Sequence, residues 1–81
     1  MSAAAERPIF MQELVVGKER LRIEIKRWEG RWSFSAWRFW QNDAGDWKPT
    51  KRGVSFAVER LPDVADVIDE AVDLAKSEGI I

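Results

Sequence analysis

Neither cysteine nor histidine occurs in the 81 residues. Their joint absence removes the disulfide staple, the thiolate nucleophile, the imidazole base and the usual structural zinc site. Tyrosine is also missing, and glycine is scarce at five residues, with no spacing that would cradle a phosphate. No apolar run approaches the ~20 residues that span a bilayer, and Met1-Ser2-Ala3-Ala4-Ala5-Glu6 lacks the basic and apolar regions of a signal peptide. The expectation is a cytoplasmic chain without a membrane partner, nucleoid-associated if its source is bacterial. What remains, 46% hydrophobic and 33% charged, describes one small domain. A chain of this length buries only ~60% of its unfolded surface, so a second chain is the expected source of further stability.

The formal charge of -1 conceals a division. Residues 17 to 52 carry ten basic side chains, among them Lys18, Arg20, Arg31, Arg38, Lys48, Lys51 and Arg52, against five acids. Residues 53 to 81 hold only Arg60 and Lys76 against seven acids. One surface is therefore suited to a polyanion and another repels it, although two solvated faces of opposite sign would have the same composition.

Periodicity divides the chain in the same place. Residues 1 to 8 read as a flexible arm and residues 9 to 79 as a single domain. Ile9 to Val16 can form a first strand. From Arg20 to Trp28, Leu21, Ile23 and Ile25 alternate with Arg20, Arg22, Glu24, Lys26 and Trp28, the pattern of a half-buried strand. A tight turn at Glu29-Gly30 follows. Trp32, Phe34 and Ala36 then oppose Arg31, Ser33, Ser35 and Trp37. Asn42 to Asp46 supplies a second turn, and Val54, Phe56 and Val58 face inward from a strand whose first half Pro49 and Gly53 make irregular or an edge. Beyond Pro62 the period becomes helical. The stripe contains Val64, Ile68, Val72 and Leu74 and is wide enough to cover one sheet, with Asp63, Asp66, Asp69, Glu70 and Asp73 around it. The fold class expected is α+β, four antiparallel strands followed by one C-terminal helix.

Five tryptophans fall between residues 28 and 47 of the basic segment. Trp32, on the apolar side of its strand, is expected in the core, where small domains put most aromatics. Strand parity instead places Trp28 and Trp37 beside the cations. Exposed rings interleaved with basic side chains suit single-stranded nucleic acid, whose bases stack while its phosphates need neutralising. Sugar rings also stack on tryptophan, although ten cations are an odd setting for a neutral sugar. The helix acids lie on one exposed face and do not converge as magnesium ligands do, and nothing points to paired catalytic carboxylates. No metal, cofactor or enzyme activity is expected.

The succession Phe39-Trp40, Asn42 to Asp46, Lys48-Pro49, Lys51-Arg52 and Gly53-Val54-Ser55 resembles the DNA-binding domain of the transcriptional coactivator positive cofactor four. The resemblance runs back through Trp28-Glu29-Gly30-Arg31 and Gly17-Lys18 and forward into the helix, over residues 14 to 76. It implies a whirly-like domain that dimerises through its helices and binds single-stranded or melted DNA across its sheets. By position, Trp28 and Trp40 match the family's stacking aromatics, and Lys18, Arg20, Arg31, Lys51 and Arg52 its basic contacts. The family's third-strand arginine falls on Trp37, with Arg38 next to it. Either Trp37 adds a platform or a bulge lets Arg38 take the phosphate contact. The serine-rich regulatory arm of eukaryotic members has no counterpart. The reading is a homodimeric, weakly sequence-specific single-stranded DNA-binding protein acting in transcription, replication or repair, its dimer seam at Val64, Ile68, Val72 and Leu74. The alternatives are a single-stranded RNA binder and a protein-interaction module docking through the acidic helix.

Overall fold

The computed structural model describes residues 7 to 81; the first six residues of the expected arm lie outside it. Strands β1 (Phe10–Val16), β2 (Glu19–Trp28), β3 (Arg31–Gln41) and β4 (Trp47–Ala57) pair antiparallel in the order β1-β2-β3-β4. A single 3-10 turn, Val58–Arg60, leads into helix α1 (Leu61–Ser77). The expected fold class is the one observed. Among the described residues no helix is long and apolar enough to cross a membrane.

The turns follow from local chemistry. Glu29 and Gly30 both have positive φ, 50° and 78°, so the β2–β3 link is a two-residue hairpin whose backbone twist matches its strands. The β3–β4 turn closes through Asn42, whose Oδ1 accepts from the Asp46 backbone N–H at 2.9 Å while its own N–H donates to the Asp46 carbonyl at 2.9 Å. The inward-facing strand residue expected at Val58 lies instead in the 3-10 turn, and the helix begins directly after that turn with Pro62 among its first residues. Proline lacks an N–H for a ladder but fits a helix start, so extended structure ends before it.

Register sorts the side chains onto two faces. Phe10, Ile25, Phe34 and Phe56 lie in one row across the four strands, and Gln12, Ile23, Ala36 and Val54 in the next. The Phe34 and Phe56 rings stack at 5.1 Å. This apolar face has no cover within the described residues. Helix α1 leaves the sheet through the 3-10 turn and stands clear of the strands, so Ile68 keeps 56% of its surface exposed and no described residue is fully buried. The radius of gyration is 15.3 Å, against about 12 Å for a compact chain of this length.

Two expectations need correcting. The helical stripe was expected to be wide enough to close over the sheet, yet its side chains do not reach it, because amphipathicity creates an apolar stripe without specifying what the stripe meets. Trp32 was expected in the core. It does lie on the apolar face, opposite Arg27, but is 40% exposed, with the Arg27 guanidinium 5.6 Å from its ring centroid.

Candidate nucleic-acid interface

On the opposite face of the sheet, the cations of β2 lie against the aromatics of β3 and β4. The pairs Arg20↔Phe39, Arg22↔Trp37, Glu24↔Ser35, Lys26↔Ser33 and Trp28↔Arg31 cross from one strand to the next. The Arg20 guanidinium lies 4.8 Å from the Trp47 ring centroid and that of Arg22 4.1 Å from Phe39. Such contacts hold a guanidinium flat over a ring while leaving its N–H groups available at the edge. Arg22 also pairs with Glu13 of β1 at 2.8 Å. Trp28, at the far end of the strand, is 61% exposed.

Near the other end of the sheet, β4 is irregular. Trp37 pairs with Gly53 and Phe39 with Pro49, so Thr50, Lys51 and Arg52 together face Arg38. The bulge lies in β4; β3 continues regularly against β2, and Arg38 therefore keeps the parity of the apolar face, opposite Leu21. There its Nε lies 2.7 Å from Glu19 Oε1, and Arg52 donates to the other oxygen of the same carboxylate. Trp37, on the cationic face, is half-buried and donates through Nε1 to the Thr50 carbonyl at 2.6 Å. Both side chains thus have protein partners that neither expectation for this pair of positions named.

The candidate residues fall into separate groups. Arg20 and Trp37 share the cationic face at the bulge end, with Lys18 in the β1–β2 turn and Lys51 exposed in the bulge. Arg38, Trp40, Lys48 and Arg52 belong to the same end but the other face, where Trp40 is 45% exposed and pairs with Lys48. Trp28 and Arg31 share the cationic face at the β2–β3 hairpin. Trp28 lies eight positions along β2 from Arg20, about 26 Å at ~3.3 Å per residue. Within one chain, therefore, Trp28 and Trp40 lie at opposite ends and on opposite faces. Sequence reasoning put Arg22 on the correct side without assigning it to the site, and it missed Phe39, Trp47 and Glu19. Alternation could have placed Phe39 on the side of Arg31 and Trp37. Parity cannot be carried across the five-residue turn to Trp47, and an acid inside a basic segment gives no signal of pairing.

With this geometry established, the sequence model of the family described as transcriptional coactivator p15 (PC4) matches residues 17–67, from the β1–β2 turn into the first two turns of α1. The chain belongs to the PC4 family. The PC4 homologue of Burkholderia pseudomallei K96243 superposes with a TM-score of 0.66 at 22% identity, covering 89% of this chain and 96% of that one. A second crystal form of the same homologue gives 0.67 at 24% identity, over 84% and 98% of the two chains. The bacteriophage T5 homologue of the eukaryotic coactivator PC4, implicated in recombination-dependent DNA replication, gives 0.59 at 16% identity over 89% and 84%. At these identities the likeness extends to the fold. No curated protein sequence matches.

Proposed function

We propose that this PC4-family chain binds single-stranded DNA with weak sequence preference, as a homodimer, holding unpaired strands in transcription, replication or repair and catalysing no reaction. The observation that carries the reading is the cationic face, where Arg20 and Arg22 lie over Trp47 and Phe39 and the open Trp28 ring stands beside Arg31. The open Trp28 ring offers an unpaired base a face to stack on, and the guanidiniums held over Trp47 and Phe39 put cations for its phosphates on the same face. Stacking contributes ~1–3 kcal/mol per base, and phosphate neutralisation adds a salt-dependent share. A duplex keeps its base faces against each other, so it can engage the cations and not the rings. The homodimer is supported by the uncovered apolar face and by the exposed apolar side chains of α1, two surfaces that water disfavours and a second copy can bury.

Titration of the intrinsic tryptophan fluorescence with an unstructured deoxyoligonucleotide tests this, with matched duplex and RNA arms over a range of salt. Quenching by the single strand is expected, with weaker duplex affinity that disappears as salt rises. Absence of quenching and of affinity at low salt would overturn the reading and leave the exposed acidic helix as the better candidate surface. Equal affinity for RNA and DNA would broaden the ligand class to single strands in general, because ring stacking does not sense a sugar hydroxyl.

A further inference from the structure

Three successive residues of an edge strand without regular pairing have no ladder to hold their shape. In β4 these residues are Thr50, Lys51 and Arg52, and side chains supply what the ladder does not. The Trp37 indole N–H donates to the Thr50 carbonyl at 2.6 Å. The Thr50 hydroxyl donates to the Arg38 carbonyl at 2.9 Å and accepts from the Arg52 backbone N–H at 3.0 Å. One side of the bulge is thereby tied to β3 and the other to its own turn. Behind it, the Trp37 ring occupies the space of a missing side chain, since a Cβ at Gly53 would lie 2.3 Å from ring atoms Cδ2 and Cε3.

We infer that Trp37, Thr50 and Gly53 form a latch that fixes the bulge and thereby presents Lys51 to the phosphates of a bound single strand. Trp37 is then a positioning residue: its ring lies against the Gly53 backbone and its N–H is already engaged. The latch rests on the function proposed above. It accounts for a tryptophan and a threonine that contribute no charge of their own to the basic loop. A pre-shaped loop loses less freedom when it meets a phosphate than a mobile one does, which favours binding without any additional contact.

The test uses the full chain and an unstructured deoxyoligonucleotide, with affinity measured over a range of salt. Trp37→Phe retains a ring and removes the N–H; Thr50→Val retains the shape and removes the hydroxyl. Both should remain folded by circular dichroism, bind more weakly, and flatten the log-log salt dependence by ~0.7 for each phosphate no longer neutralised. Thr50→Ser should restore the slope, an outcome that general loosening of the strand does not predict. If Trp37→Phe unfolds, the two threonine variants carry the comparison. Parental slopes for Trp37→Phe and Thr50→Val, alongside a flattened slope for Lys51→Ala, would overturn the latch and leave the binding function standing. Parental slopes for all three would remove the bulge from the interface. A parent that binds no oligonucleotide would overturn the function itself, and the latch with it.

Discussion

Changing Gly53→Ala tests how closely the Trp37 indole approaches β4. An added Cβ would lie 2.3 Å from two ring carbons and 2.7 Å from the Ala36 carbonyl oxygen. Carbon atoms in contact prefer ~3.5–4.0 Å, so the indole has to retreat by more than about an ångström. That movement breaks its 2.6 Å hydrogen bond to Thr50. Overpacking of this kind costs ~1–3 kcal/mol and the broken hydrogen bond ~0.5–1.5, while alanine's smaller unfolded-state entropy returns ~0.4–1. A net loss of ~0.5–4 kcal/mol is expected, and the melting temperature should fall by ~4–8 °C for each kcal/mol in a domain of this size. Urea unfolding followed by far-ultraviolet circular dichroism measures it, at one fixed protein concentration because self-association shifts the midpoint. Trp37→Leu in the same chain should recover part of the loss, since a smaller side chain removes the ring clash and leaves that with the Ala36 carbonyl. A midpoint unchanged by Gly53→Ala, or a double-mutant cycle with no coupling between positions 53 and 37, would refute the close packing on which this reasoning depends.

Ile68→Asp should lower the association state and the unfolding midpoint together in light scattering and circular dichroism, because an unpaired charge would enter the apolar surface proposed to join two copies; unchanged association would count against α1 as the seam. Trp28→Ala should reduce oligonucleotide affinity by ~1–3 kcal/mol with the salt slope unaltered, since a base on a ring displaces no counterion. Its unfolding midpoint should remain close to the parent's, the indole being largely exposed. Glu19→Gln should strengthen binding and steepen the salt dependence by up to ~1.4, because two guanidiniums now paired with one carboxylate would become available to phosphate. An unchanged slope would place Arg38 and Arg52 outside the interface.

The strands were legible because alternation is a local property. Leu21, Ile23 and Ile25 against Arg20, Arg22 and Lys26 decided the faces of β2, and the same parity carried Trp28 and Trp37 to the cationic face, where register puts them. The helix was legible from its period. Three features were not. Trp32 lies on the expected face, but its burial depends on what covers that face, and no residue of the pattern states this. The role of Trp37 depends on Gly53 and Thr50, thirteen or more residues away, meeting it through a bulge whose position Pro49 and Gly53 suggested only as irregularity. The pairing of Glu19 with Arg38 and Arg52 joins β2, β3 and β4, and charge counting by segment averages such a carboxylate away.

The order of strands in the sheet is their order in the chain, and this bears on how the domain assembles. Each strand pairs with the one made immediately before it. A hairpin closes in ~1–10 μs, whereas synthesis adds ~5–20 residues per second, so each hairpin closes as soon as its second strand is free. The meander therefore grows from β1 to β4 without waiting for a distant partner, and α1 emerges last. Nothing in that succession covers the row of Phe10, Ile25, Phe34 and Phe56. In the proposed homodimer its covering is a bimolecular event, paced by the concentration of chains and not by loop closure, and until two copies meet each newly made sheet has an adhesive side.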